Sequence, residues 1–275
     1  MPQVEGEGER KWPVVICGDG CWRTVTDEVV GEVLGRGYAL ATFNRTEIVP
    51  DLNRRDVALY RVYPGLDFGA LAAWAWGYHR VVDLLVTLPF VDPSALAVVG
   101  HSRGGKTALL AGATDERIAL TAPNDSGCGG AGSFLYQGDK CERLADLVRA
   151  FPFWLSPRAP HYVDREEAMG FDQHFLRALV APRAQVSTEA LGDLWANPAG
   201  TYQTYRAARE AYRFLGAEGR IGIWYREGEH RHGIADWKAF LDFADVQLRG
   251  LKNQTDFDMN PFPDMPLAFS WRAPI

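Results

Sequence analysis

The chain has 275 residues, of which 47% are hydrophobic and 23% charged, with a formal net charge of −6. That length and balance suit one α/β domain with a sizeable core, and an acidic chain without clustered Lys and Arg is not built for long nucleic-acid contacts. No apolar run approaches the ~18 residues that argue for a membrane span, so neither nucleic acid nor a membrane is an expected partner.

The first ten residues, Met1 to Arg10, are acidic and polar and do not read as a signal peptide. Two compartments stay open: the cytoplasm, or a secreted protein whose signal lies outside this sequence. Residues 13–17 (PVVIC) read as a buried strand, followed by the glycine-bearing turn Gly18-Asp19-Gly20. The turn from Gly18 to Trp22 is either a source of a second oxyanion donor or an ordinary strand-to-helix turn. The four cysteines, Cys17, Cys21, Cys128 and Cys141, are too sparse for a disulfide framework. Cys17 and Cys21 have no matching His/Cys pair elsewhere, so buried thiols are expected rather than zinc.

A helix follows over 26–34, capped at Thr26 or Asp27, then a strand over 38–43. Residues 44–65 carry Arg45, Glu47, Asp51, Arg54, Arg55 and Asp56 and read as an irregular loop near the mouth of a site. The Ala-rich stretch 69–88 reads as a helix; its Trp74, Trp76 and Tyr78 are expected to pack, and its His79 to be structural.

The most informative stretch comes next. An apolar β-type run, Leu96 to Val99, ends at Gly100; Ser102 follows, then Gly104 and Gly105, and a helical pattern over 106–113. This is G-x-S-x-G in the order strand, tight turn, helix, the context of a nucleophile elbow. Glycines at 100 and 104 remove the Cβ atoms that would clash where strand and helix nearly touch. The backbone N–H after the serine would then face a developing oxyanion.

A strand over 117–121 leads into the glycine-rich segment 122–132. No phosphate-loop pattern or helix follows it, so nucleotide binding is not expected. Residues 133–179 form an excursion with a helix over 141–150, the run Phe151-Pro152-Phe153-Trp154, and Phe171-Asp172-Gln173-His174; an insertion over about 126–180 is expected to line the pocket. A strand over 184–188, a helix over 199–215, a strand over 221–225 and a final amphipathic helix over 235–248 complete the pattern. Such alternation predicts a mostly parallel sheet with helices on both faces, a three-layer α/β sandwich. No Pro/Gly/Ser-rich linker divides the chain, so residues 1–275 are read as one domain of the α/β-hydrolase type.

Ser102 at its free pKa is a poor nucleophile and needs an imidazole, which in turn needs a carboxylate to fix its tautomer. The expected chain order is Ser, acid, His. His230, directly after the last strand, is the expected base and His232 its rival; the His-x-His spacing lacks the further ligands of a metal site. Asp193 and Asp125 both follow strands and both precede His230, so chain order does not choose between them, and Glu189 is a third, weaker candidate.

Taken together, Gly100-His101-Ser102-Arg103-Gly104-Gly105-Lys106, Asp125-Ser126-Gly127-Cys128-Gly129-Gly130, Phe171-Asp172-Gln173-His174, Ala181-Pro182-Arg183, Asp193-Leu194-Trp195-Ala196-Asn197-Pro198 and the histidine turn resemble carbohydrate esterase family 15, the glucuronoyl esterases, over about residues 95–250. The resemblance implies an α/β hydrolase that cleaves esters between 4-O-methyl-glucuronic acid of xylan and lignin alcohols, with no cofactor or metal, and a secreted or periplasmic location. It implies Ser102 as nucleophile, His230 as base, Arg103 at the oxyanion, and Lys106, Glu142 and Trp195 as contacts to the uronate. At Asp125 the family often has Glu. An acetyl or short-acyl esterase, and a non-catalytic carbohydrate-binding protein on the same fold, are the alternatives.

Overall fold

A computed structural model describes residues 11–274; the acidic stretch 1–10, with its reading as no signal peptide, lies outside the described residues. Six strands, β1 (Trp12–Cys17), β2 (Ala39–Thr42), β3 (Val91–His101), β4 (Leu120–Asn124), β5 (Ala184–Ala190) and β6 (Ile221–Arg226), form one sheet in the order β2-β1-β3-β4-β5-β6. Every pairing is parallel. Because both faces are covered, the inner strands read as continuous apolar runs rather than as alternation.

The helices are α1 (Asp27–Gly35), the single turn α2 (Leu59–Val62), α3 (Ala70–Leu85), α4 (Arg103–Thr114), α5 (Leu144–Ala150), α6 (Gln173–Ala178), α7 (Pro198–Phe214) and α8 (Ile234–Arg249). On one face, Val29 and Val33 of α1 and Trp237, Phe240 and Leu241 of α8 pack on Val15, Val99, Ala122 and Val186. On the other, Tyr78 and Val82 of α3 and Ala108 and Ala111 of α4 cover Ile16, Leu96 and Val98, while Tyr205 and Tyr212 of α7 cover Ile221 and Ile223. The three-layer α/β expectation therefore holds. Trp74 and Tyr78 are buried packing residues, and His79 sits with Nε2 3.2 Å from the Ala111 carbonyl.

Element ends differ where local contacts override pattern. The elbow helix begins at Arg103, three residues before the apolar pattern does, because the turn at Ser102 feeds straight into it. Nor is the 44–65 segment only a rim: Arg45 is fully buried. All four cysteines are free thiols, three of them buried. Among the described residues, no helix is long and apolar enough to cross a membrane.

Candidate active site

Parallel strands all present their C-terminal ends to one edge of the sheet, and the loops there build the site. Between β3 and α4, Ser102 adopts φ 55°, ψ −123°, a strained conformation for a residue with a side chain. The strain is held from both sides: the Ser102 N–H donates to the Asn124 carbonyl (2.9 Å) and the His101 N–H to Asp19 Oδ2 (2.8 Å). A Cβ on Gly100 would overlap the Gly104 carbonyl, and one on Gly105 would lie 2.9 Å from the Asn124 carbonyl. The glycine spacing read from sequence is thus a steric requirement of this turn.

Ser102 lines a cavity of about 370 Å3 together with Arg103, Lys106, Asp125, Glu142, Trp195 and His230, so the sequence-selected residues converge on one place. Phe151 and Trp154, from the excursion, form part of its wall.

His230 Nδ1 is hydrogen-bonded to Asp193 Oδ2. A carboxylate can only accept, so Nδ1 carries the proton and the Nε2 lone pair is the basic site. Burial draws the imidazole pKa down, but the bond to Asp193 and the charges of Asp193 and Asp125 outweigh it and raise it above the ordinary value. The rival His232 is buried away from this cavity, stacked on Trp237 with ring centroids 4.9 Å apart.

Both candidate aspartates are close to His230: donor atoms of Asp125, Asp193 and His230 lie within 4.8 Å of one another. Their environments differ. Asp125 Oδ1 accepts the Ala190 N–H (2.7 Å), and Oδ2 accepts from Arg226 Nη2 (3.3 Å). Burial pushes its carboxyl up to about 7, the Ala190 N–H opposes this, and the Asp193 charge adds to it. Asp193 keeps Oδ2 for the imidazole, and its Oδ1 caps the short 3-10 turn Leu194–Ala196 by accepting the Ala196 N–H (3.3 Å). Glu189, the third candidate, is fully buried, and burial raises it well above the carboxylate range. Asp125, Asp193 and His230 are also the one His/Cys/Asp/Glu cluster among the described residues with metal-like spacing. With Asp193 bound to the imidazole and Asp125 to an N–H and a guanidinium, it is a histidine–carboxylate constellation rather than a set of free ligands.

Arg103 enters the cavity with its guanidinium fixed. Nη1 donates to Asp51 Oδ2 (2.5 Å), while Asp51 Oδ1 accepts from Trp154 Nε1 (2.8 Å). The guanidinium carbon lies 4.5 Å from the Trp154 ring centroid and 5.0 Å from that of Phe151, within cation–π range. Its Nε has no partner among the described residues. The side chain therefore carries a positive charge of set direction in the cavity that Ser102 also lines.

Lys106 is only 4% exposed, and Nζ donates to the carbonyls of Ser126 (2.8 Å) and Cys128 (2.6 Å) and to Glu142 Oε2 (2.8 Å). Its three hydrogens thus have three protein acceptors, and a sugar hydroxyl would have to displace one. The Glu142 N–H donates to the Trp195 carbonyl (2.9 Å), and the Trp195 side chain is 51% exposed at the cavity edge. Asp172 holds the loop behind them by accepting from Ser133 Oγ and the Phe134 and Leu135 N–H groups.

The N–H groups of Gly18, Gly20 and Trp22 already donate to Tyr78 Oη, the Phe43 carbonyl and the Asp19 carbonyl, so these three are not free oxyanion donors. Asp51 lies in the 44–65 loop expected near the mouth of the site, whereas Asn124, Arg226 and Asp19 were missed as supports of it. The only hint in the sequence was that each lies in a loop or at a strand end.

The chain matches the family model described as "Glucuronyl esterase, fungi" over residues 2–216. It is 35% identical over 244 residues to a carbohydrate esterase from an unknown prokaryotic organism, covering 80% of this chain and 56% of that protein. To the 4-O-methyl-glucuronoyl methylesterase 1 of Wolfiporia cocos it is 34% identical over 233 residues, 80% of this chain and 54% of that protein. The chain spans about half the length of these curated relatives. A glucuronoyl esterase of carbohydrate esterase family 15 from Caldicellulosiruptor kristjansonii superposes with a TM-score of 0.90 at 32% identity, covering 100% of this chain and 78% of that one. A glucuronoyl esterase S-to-A mutant from Sporotrichum thermophile, solved with methyl 4-O-methyl-β-D-glucopyranuronate, superposes with a TM-score of 0.76 at 25% identity, covering 92% of this chain and 71% of that one. With its elbow, its all-parallel sheet and these matches, the chain belongs to the glucuronoyl esterases, carbohydrate esterase family 15.

Proposed function

We propose that the chain hydrolyses carboxylic esters of glucuronic acid, the 4-O-methyl sugar in particular, through an acyl-enzyme on Ser102. Ser102 Oγ attacks the ester carbonyl as His230 Nε2 takes its proton, and Asp193 stabilises the imidazolium that forms. The tetrahedral oxyanion is met by the backbone N–H of Arg103 and by its guanidinium. Collapse breaks the C–O bond to the alcohol, which leaves with the proton from His230. Water, deprotonated by the same nitrogen, then attacks the acyl-enzyme and releases the uronate and a restored Ser102.

The observation that carries this reading is the His230–Asp193 pair opening on the cavity that holds the elbow serine and a fixed guanidinium. Glu142 and the exposed face of Trp195 are the uronate contacts; Lys106 acts by holding Glu142 and the loop carbonyls in place. Asp125 adds negative field beside the base. The sugar assignment is supported by the names of the relatives.

The experiment compares hydrolysis of methyl or benzyl glucuronate with that of 4-nitrophenyl acetate, for the parent and Ser102→Ala. Preference for the glucuronate, abolished by Ser102→Ala, is the expected result. Faster turnover of the acetate would make the chain a short-acyl esterase, and no turnover by the parent would make it a binding protein.

A further inference from the structure

Next to the elbow, and not among the residues that line the cavity, lies a buried charge pair that the proposed mechanism does not use. Asp19 follows β1 and is fully buried, as is Arg45, and the two form an ion pair. The β1–β3 ladder ends with Cys17 opposite Val99. Two residues further along each strand, Asp19 Oδ2 accepts the His101 N–H at 2.8 Å and so continues the ladder with a side chain. The other carboxylate oxygen sits against Gly104, where any Cβ would overlap it. Asp19 thus touches the backbone on both sides of Ser102 and Arg103.

Arg45 is held in turn. Its guanidinium carbon is 4.2 Å from the Trp22 ring centroid and 5.3 Å from that of Trp74. Trp22 also faces Arg103, at 5.7 Å, and His101, with ring centroids 6.2 Å apart. A buried pair of this kind is poor value as a source of stability, because desolvating both charges offsets their attraction. Its placement has a different logic. A carboxylate is a strong acceptor for the His101 N–H, yet an unpaired anion one residue from the oxyanion site would repel the charge that develops there. Arg45 removes that repulsion and leaves the acceptor in place.

We propose that Asp19 is a positioning residue for the ester hydrolysis assigned above: its carboxylate, neutralised by Arg45, fixes the backbone at His101 and Gly104 so that the Arg103 N–H meets the oxyanion. The inference rests on Ser102 being the nucleophile. Asp19 touches neither substrate nor the reacting atoms.

Paired substitutions in the full chain separate positioning from stability. Asp19→Asn with Arg45→Gln keeps an acceptor for the His101 N–H and removes both charges; Asp19→Leu with Arg45→Met removes charges and acceptor together. The Asn/Gln pair is expected to keep kcat within about 5-fold of the parent, since a neutral acceptor still holds the turn. The Leu/Met pair is expected to lose about 100-fold in kcat with KM little changed, the scale of a misplaced oxyanion donor. Thermal unfolding reports whether each pair folds. If Leu proves too large, Asp19→Ala with Arg45→Met removes the acceptor without adding volume and is read the same way. A folded acceptor-less pair with the parent kcat overturns the brace, as does an Asn/Gln pair that falls as far as the Leu/Met pair. A parent that hydrolyses no ester overturns the functional reading itself, and the brace with it.

Discussion

Replacing Asp193 by Asn tests the assignment of the orienting acid. Asp193 Oδ2 is the partner of His230 Nδ1, whereas both Asp125 oxygens are engaged by Ala190 and Arg226. The amide loses the charge that stabilises the imidazolium and can donate to Nδ1, favouring the wrong tautomer; such a change costs about 10⁴-fold in kcat in a Ser-His-Asp triad. Here a second carboxylate stands by. Across 4.8 Å, at an effective dielectric of about 20, a full charge on Asp125 acts on the imidazolium with about 3 kcal/mol. The counter-charge of Arg226 and solvent at the partly exposed imidazole reduce this to about 1.4 kcal/mol, roughly 10-fold. Asp193→Asn should therefore lower kcat by about 10³-fold and Asp125→Asn by about 10-fold. The assay is steady-state hydrolysis of methyl glucuronate, with kcat taken on the alkaline plateau of each variant's pH profile. An Asp125→Asn loss equal to or larger than that of Asp193→Asn would refute the assignment, and two near-normal variants would refute the triad.

The pH profile follows from the same charges. His230 must be neutral to accept a proton, and its pKa is raised by Asp193 and Asp125 against the pull of burial, so kcat/KM should fall on the acid side with a midpoint above the ordinary ~6.5 of histidine; Asp125→Asn should move that midpoint to lower pH. Arg103→Lys removes the planar fork that pairs with Asp51 and packs against Trp154, and should lower kcat by about 100-fold with a small change in KM. Lys106→Met leaves Glu142 as a buried unpaired carboxylate and two loop carbonyls without a donor. It should destabilise the chain by about 3 kcal/mol or more in urea unfolding, and adding Glu142→Gln should recover part of that. Gly100→Ala drives a methyl group into the Gly104 carbonyl and should cost about 3 kcal/mol, seen as a lowered Tm.

How much of this was readable beforehand depended on how local the physics is. The elbow was readable because most of its constraint acts over five residues: Gly100 meets the helix start at the Gly104 carbonyl and Ser102 takes the strained turn between them, although Gly104 itself is required by the distant Asp19 carboxylate. The sheet was readable because parallel, doubly covered strands announce themselves as apolar runs such as PVVIC and LAVV. The choice between Asp193 and Asp125 was not, since both follow strands and both end near His230. What separates them is which carboxylate has an oxygen left over, and that is decided by the Ala190 N–H and by Arg226, 65 and 101 residues from Asp125. The resemblance implies Lys106 as a uronate contact, whereas its three acceptors, Ser126, Cys128 and Glu142, lie in a loop and an excursion whose path no pattern describes. Asp19 and Arg45 looked like a turn residue and a loop charge, and only the fold brings them together beneath the serine.

The measurement that bears most directly on the central claim is covalent trapping of the nucleophile with a fluorophosphonate, followed by peptide mass spectrometry. The account predicts one adduct, on Ser102, formed at least about 100-fold more slowly in His230→Ala and much more slowly in Asp193→Asn than in Asp125→Asn. An adduct on another residue, or labelling of Ser102 at an undiminished rate in His230→Ala, would contradict it.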